Sequence, residues 1–440
     1  MNARAYRRQD RRFVWHPYTK RSAIARAPFP VVVRGKGVYL YDAAGRRYFD
    51  AISSWWACNL GHGHPRIVRA VRRQARVLQH SILGGMSHPP AIALAEAIVR
   101  LMPEANRRVL FASDGSSAVE AALKIAVQYW RNVGQPRRTK FVSFEKAYHG
   151  DTVGSVSVGY LREFHEPFRP LLFPVHRAES PCCGTCIHGV SPDRCRLECF
   201  ASLRKIVETR AAELAGVILE PLCQAAAGMR MYPPSYLREA AKLCRRAGVL
   251  LIVDEIAMGF GRTARMFAFE HAGVDPDIVC IGKGLSAGCL PISATVVKNS
   301  VYETFDDRPA DRTFYHGHTF AGNPIAAAAA LETIRVYRAK RILARAAELA
   351  DVFASEIRTF EGMEGVRNAR CTGVIAAVEL AGARKRTGAE TADRVRKLLR
   401  ARGILVRPLG NVVYLMPPLV TSRNVAVRAV RALRDAIRRP

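Results

Sequence analysis

The runs Val249-Leu250-Leu251-Ile252-Val253-Asp254-Glu255 and Ile278-Val279-Cys280-Ile281-Gly282-Lys283 decide the reading of this chain. Each is an apolar stretch of strand length that ends at an ionisable group, a carboxylate in the first and an amine in the second. A lysine amine can form a Schiff base with the aldehyde of pyridoxal phosphate (PLP). An aspartate facing the ring nitrogen keeps that nitrogen protonated, so that the ring draws electrons from the substrate carbon. Taken singly, Asp254 reads equally well as the cap of the next element and Lys283 as a solvated side chain. Together they suggest a PLP enzyme.

Outward from this pair, apolar runs alternate with helical patterns between about residues 107 and 330. The runs are 108–112, 140–144, 217–220, 249–253, 278–281 and 294–297. Such alternation predicts an α/β fold, a parallel sheet with helices on both faces. Ligands of open α/β sheets bind beyond the carboxyl ends of the strands, where Asp254 and Lys283 stand. Ser113-Asp114-Gly115-Ser116-Ser117 follows one strand and opens the helix beginning Ala118-Val119-Glu120. Amides at a helix start attract an anion, and glycine permits its close approach, although the same residues are ordinary caps. Tyr148 in Phe144-Glu145-Lys146-Ala147-Tyr148-His149-Gly150-Asp151 offers a ring to a flat cofactor, or else a core residue.

Composition limits the alternatives. A chain of 440 residues with 49% hydrophobic residues can bury a large core and a smaller one, so two lobes are expected. No apolar run approaches the roughly 20 residues that span a bilayer, and Ala326 to Leu331 is far too short. A soluble, cytoplasmic protein without a membrane partner is expected. The net charge of +31 invites a nucleic-acid reading. However, all but 12 of the 68 basic residues are arginines, scattered through nearly every segment without aromatic platforms, so a composition bias and no nucleic-acid partner are expected. Arg4, Arg7, Arg8, Arg11 and Arg12 loosely resemble a transit peptide, but core-like sequence follows at once. They are read as a frayed or surface lead.

Eleven cysteines fit free thiols. Five of them, Cys182, Cys183, Cys186, Cys195 and Cys199, cluster with spacings compatible with zinc. They are read as incidental thiols of an insertion, and no metal is assigned. His62-Gly63-His64 and His316-Gly317-His318 likewise lack a completed ligand set.

From Trp15 to about Pro418 the chain resembles the class III aminotransferases of PLP fold type I. Tyr148-His149-Gly150-Asp151 and Asp254-Glu255-Ile256-Ala257-Met258-Gly259-Phe260-Gly261-Arg262-Thr263 are similar to that family's cofactor segments. Trp15-His16-Pro17-Tyr18-Thr19 and Ser53-Ser54-Trp55-Trp56-Ala57 resemble the substrate-recognition segments of members acting on 8-amino-7-oxononanoate in biotin biosynthesis. The resemblance implies a large domain with a mostly parallel seven-stranded sheet plus a smaller α+β domain. Residues 1–60 would contribute to the small domain and active site, 61–330 would form the PLP-binding domain, and 331–440 the C-terminal small domain.

It further implies that Lys283 is the Schiff-base lysine, nucleophile and general acid/base. Asp254 would be the partner of the ring nitrogen and Tyr148 the stacking and substrate-contacting ring. Gly115 and Ser116 would cradle the phosphate, with Thr319 reaching it from the other subunit of a homodimer with shared sites and His318 beside it among the cofactor-binding residues. Tyr18, also assigned a catalytic part, would wall the substrate pocket with Trp55 and Trp56. Gly317 would contact substrate across the dimer, and Arg407 would clamp a carboxylate. The implied reaction is a two-stage transamination of 8-amino-7-oxononanoate with S-adenosylmethionine as donor. Lysine as donor, or another ω-amine as substrate, is the alternative. His318 stands where better-known members carry proline. The insertion at 181–199 resembles one in members that include users of a different donor.

A rival class comes from Gly284-Leu285-Ser286-Ala287-Gly288, which fits the G-x-S-x-G elbow of serine hydrolases. That elbow needs a helix directly after the serine, and Cys289-Leu290-Pro291 breaks the chain instead. A pure nucleic-acid binder would lack cofactor colour.

Overall fold

The computed structural model describes residues 2–26, 29–191, 193–308, 310–382 and 386–438. Its centre is a seven-stranded sheet. From edge to edge the strands are Arg107–Ala112, Ser293–Lys298, Ile278–Ile281, Leu250–Asp254, Leu214–Leu219, Lys140–Phe144 and His176–Ala178. Ser293–Lys298 runs antiparallel to both neighbours, and the other described pairings are parallel. The expected sheet is therefore mostly parallel with one reversed strand. Val217, Ile218, Ile252, Val253, Ile278 and Val279 are all buried, as strands covered on both faces must be.

The helix Gly115–Asn132 covers one face. Its buried residues Ala118, Ala122, Ile125 and Ala126 recur at helical spacing. With Trp130 they pack against Ile252, Ile278 and Cys280, and the Trp130 indole N–H donates to the Ala215 carbonyl at 2.8 Å.

Beyond this sheet, Val32–Lys36, Tyr39–Asp42 and Arg47–Asp50 form a meander. Ile404–Leu405 joins it parallel to Arg47–Asp50. Val366–Thr372, Ile375–Leu380 and Val412–Leu415 form a three-stranded antiparallel sheet. The beginning and the end of the chain thus share one sheet. The arginine-rich lead is an α-helix, Ala3–Phe13, rather than a frayed segment. Asn2 caps it by accepting from the Ala5 N–H at 2.9 Å, and none of its residues is buried.

Arg262 joins three stretches of chain. Its side chain is wholly buried and donates to the Pro417 carbonyl at 2.6 Å and to Asn59 Oδ1 at 2.7 Å. Asn59 in turn donates to the Phe260 carbonyl at 2.9 Å. Among the described residues no carboxylate is hydrogen-bonded to this guanidinium, and burial lowers its pKa to about 10. Gly373 sits so close that a Cβ there would overlap the Thr263 backbone.

Arg262→Met should leave the Pro417 and Asn59 acceptors buried without a donor, a cost of about 3 kcal/mol. A lowered urea unfolding midpoint at unchanged slope checks it.

Candidate active site

Six of the residues singled out in the sequence meet in one cavity of about 120 Å3. Trp56, Gly115, Ser116, Tyr148, Asp254 and Lys283 line it, with Asp114, His149, Gly150, Glu220, Ile256 and Ala257. Lys283 follows its strand through Gly282 and has a left-handed φ of 39°. Burial lowers its pKa from the usual lysine value, against the pull of Asp254, Glu220 and Asp151. A buried amine that gives up its proton readily is the form that can act as a nucleophile.

Asp254 is the last residue of its strand. Its Oδ1 accepts from the Ile256 N–H at 3.0 Å, and its Oδ2 lies 2.7 Å from His149 Nδ1. His149 is buried, and its Nε2 has no hydrogen-bond partner. Glu220 accepts from the Tyr148 N–H at 3.1 Å and the Ala225 N–H at 3.0 Å. Burial, with the nearby charge of Asp254, raises its pKa to about 8, so it holds a proton at neutral pH. Glu220 and His149 were not assigned roles from sequence. Glu220 ends the run 217–220 as Asp254 ends its own and could have been weighed by the same signal, and His149 stands beside Tyr148 in the same segment.

The helix Gly115–Asn132 begins at the cavity, and Asp114 caps it by accepting from the Ser117 N–H at 3.0 Å. A Cβ at position 115 would lie 2.9 Å from an Ile256 methyl, so glycine is required for this approach. A helix start bare of side-chain bulk, a buried lysine and a strand-end carboxylate together fit PLP: an anion site, an amine and a partner for a protonated ring nitrogen.

A second group stands around Arg407. Its guanidinium lies 3.8 Å from the Trp55 ring centroid and 5.9 Å from that of Tyr18. Adjacent tryptophans serve different places, because Ser53, Ser54, Trp55 and Trp56 have φ of 49°, 46°, 72° and 73°, a left-handed turn without glycine. Trp56 is buried, with its N–H donating to the Tyr414 hydroxyl at 3.0 Å and the Lys283 amine 5.5 Å from its ring centroid. Trp55 instead faces Arg407. Ser53 Oγ donates to the Met416 carbonyl at 2.8 Å and Ser54 Oγ to Asp50 Oδ2 at 2.7 Å, fastening the turn.

Asp151 links the two groups. The Tyr18 hydroxyl donates to its Oδ1 and the Tyr148 hydroxyl to its Oδ2 at 3.0 Å. Burial and the Asp151 carboxylate raise Tyr18 to about 12, and burial with the Tyr18 contact raises Tyr148 further, so both stay protonated.

Gly317, His318 and Thr319 are not among the residues lining the cavity of their own chain. His318 Nε2 accepts from the Ser113 N–H at 3.0 Å, and His316 Nδ1 lies 3.2 Å from the Lys124 amine. The five clustered cysteines line one small cavity, all as free thiols. Among the described residues no three metal-ligand side chains are grouped for an ion. Ser286 is buried and donates to the Leu290 carbonyl at 2.6 Å, which removes the hydrolase reading. Among the described residues no helix is long and apolar enough to cross a membrane.

This fold and cavity define a PLP-dependent transferase. Aminotransferase class-III describes residues 22–437, and the chain belongs to that family. A protein of Geobacter sulfurreducens named adenosylmethionine-8-amino-7-oxononanoate aminotransferase is 39% identical over 94% of both chains. One of the same name from Synechococcus elongatus is 42% identical over 92% of this chain and 93% of its own. The crystal structure of adenosylmethionine-8-amino-7-oxononanoate aminotransferase from Methanocaldococcus jannaschii superposes with a TM-score of 0.92 at 35% identity, covering 99% of each chain. A PLP-bound amine transaminase from an uncultivated Pseudomonas species gives 0.91 at 33% identity, covering 97% of this chain and 98% of its own.

The turn bearing the tryptophans hangs on Asp50, whose Oδ2 also lies 2.9 Å from His62 Nε2. Burial opposes protonation of His62, but Asp50 and Cys58 outweigh it and raise its pKa to about 9 from 6.5. A raised histidine contributes stability in full below its unfolded value and loses it as pH rises through the folded one. The melting temperature should therefore fall as pH rises from about 6.5 to beyond about 9. That portion of the fall should be missing in His62→Gln.

Proposed function

We propose that this protein transfers an amino group to 8-amino-7-oxononanoate, giving 7,8-diaminononanoate for biotin synthesis, with S-adenosylmethionine as donor. The observation that carries the proposal is the Trp55–Trp56 turn. It sets one indole beside the Lys283 amine and the next beneath the Arg407 guanidinium. Aromatic walls between an amine and a cation suit an aliphatic chain that reacts near one end and carries a carboxylate at the other. The names of the Geobacter and Synechococcus relatives support the same substrate and donor.

Bound PLP supplies an aldehyde that takes up the amino group and a ring that accepts electrons from the substrate carbon. Lys283, partly freed of its proton by burial, moves a proton to and from that carbon. Asp254, braced by His149 and the Ile256 amide, holds the proton on the ring nitrogen. Glu220 stays neutral beside it, so the cavity does not gather a second full negative charge. Gly115, Ser116 and the helix start would hold the phosphate, and Tyr148 would offer its ring to the cofactor. Arg407 binds the substrate carboxylate, with Tyr18 and Trp55 excluding water around it.

Gly317, His318 and Thr319 serve the partner's cavity in a homodimer, a reading supported by their absence from the lining of their own chain's cavity. Residues 1–60 and 331–440, which share a sheet, make the smaller lobe beside residues 61–330. A cytoplasmic location accompanies this role.

The superposition on amine transaminases gives a second reading, a class III enzyme for another ω-amine. Absorbance spectra of the purified protein before and after adding 7,8-diaminononanoate separate the two. Conversion of the cofactor band to the amine form, with release of 8-amino-7-oxononanoate, is expected. An unresponsive band moves the substrate to another ω-amine. Lys283→Ala should lower turnover by more than about a thousandfold.

A further inference from the structure

His165 lies outside every role given above, yet it is almost fully buried against the group that joins the two halves of the site. Its Nδ1 accepts from the Leu161 N–H at 3.0 Å. A backbone N–H only donates, so Nδ1 carries the lone pair and the proton of the neutral ring sits on Nε2. That Nε2 has no hydrogen-bond partner and stands 3.6 Å from Asp151 Oδ1. An unpartnered buried N–H beside a carboxylate calls for an explanation. The distance is too long for a hydrogen bond, but the dipole faces the charge, and the opposite tautomer would turn a lone pair toward it.

Asp151 needs such support. Its side chain is half exposed, while that of His165 is 2% exposed. A half-exposed carboxylate has rotamer freedom, and the two tyrosines that donate to it depend on its position. The ring of His165 also lies nearly parallel to that of Tyr148, 6.1 Å away at 18°. The preceding residue, Phe164, meets the Tyr18 ring edge-on at 5.3 Å. The short helix Arg162–His165 thus contacts both tyrosine rings.

We propose that His165 is a positioning residue for substrate binding: its Nε2–H, fixed by the Leu161 amide, holds Asp151 where that carboxylate orients the Tyr18 and Tyr148 hydroxyls. With both hydroxyl protons directed to Asp151, the tyrosines turn lone pairs toward the pocket and so favour a substrate carrying a protonated amine. The choice of substrate rests on the functional proposal above; the role of His165 in placing the tyrosines does not.

Two variants separate positioning from mere packing. Asparagine at 165 sets an amide oxygen near the place of Nδ1 and keeps the Leu161 bond, but it has no donor near Nε2. Glutamine is longer and returns an N–H toward Asp151. His165→Asn should raise KM for 7,8-diaminononanoate about tenfold with kcat little changed, while His165→Gln stays within about threefold of the wild type. Both should keep the wild-type melting temperature. Circular dichroism of the bound cofactor band needs no substrate; it should change in His165→Asn and be restored in His165→Gln. Two variants that both match the wild type, or that lose activity and melting temperature together, overturn the proposal. A wild type that ignores the diamine refutes the functional reading alone, and the dichroism comparison then decides the role of His165.

Discussion

Placing a partly buried lysine amine within reach of three carboxyl groups is the constraint around which the site is arranged. Burial of Lys283 destabilises its cation, whereas Asp254, Glu220 and Asp151 stabilise it. Were all three acids charged, the amine would be held as an inert ammonium. Burial instead leaves Glu220 protonated near neutrality, and each of its two oxygens accepts from a backbone amide. Asp254, at the end of its strand, meets the His149 ring and the Ile256 amide. The amine is left free enough to exchange its proton.

The second constraint is steric. Four successive non-glycine residues, Ser53 to Trp56, adopt left-handed backbone, each at a cost of roughly 1–2 kcal/mol. Hydrogen bonds from Ser53, Ser54 and Trp56, and the Arg407 guanidinium over Trp55, hold the turn in that shape. Strain held by surrounding structure is common where a site needs side chains in directions regular backbone does not give. Here it separates two adjacent indoles, one toward Lys283 and one toward Arg407. The Asp50–His62 pair and buried Arg262 anchor the same region, so packing far from the cavity determines its geometry.

Much of the sheet was legible because strands covered on both faces must be continuously apolar. The runs at 249–253 and 278–281 satisfy that, and the residues ending them fall at the binding edge. The reversed strand Ser293–Lys298 looks the same as a parallel one, since burial alone sets its composition. His176–Ala178 was missed because three residues containing His and Arg carry no pattern. The arginine-rich lead read as a loose segment because its helix, Ala3–Phe13, buries nothing and so shows no apolar stripe.

By itself the sequence determined the alternation of buried strands and helices, the aspartate and lysine at the strand ends, and the glycine at the helix start. These depend on local backbone geometry and on hydrophobicity repeated along the chain. Only the tertiary structure decided that Glu220 and His149 join Asp254, that Asp151 ties Tyr18 to Tyr148 with His165 behind it, and that the loop of Gly317, His318 and Thr319 lies off its own cavity. Most of those partners are distant in sequence, Tyr18 from Asp151 and His149 from Asp254 above all. Their pKa values and orientations come from shared burial and through-space charge, which leave no periodic trace in the chain.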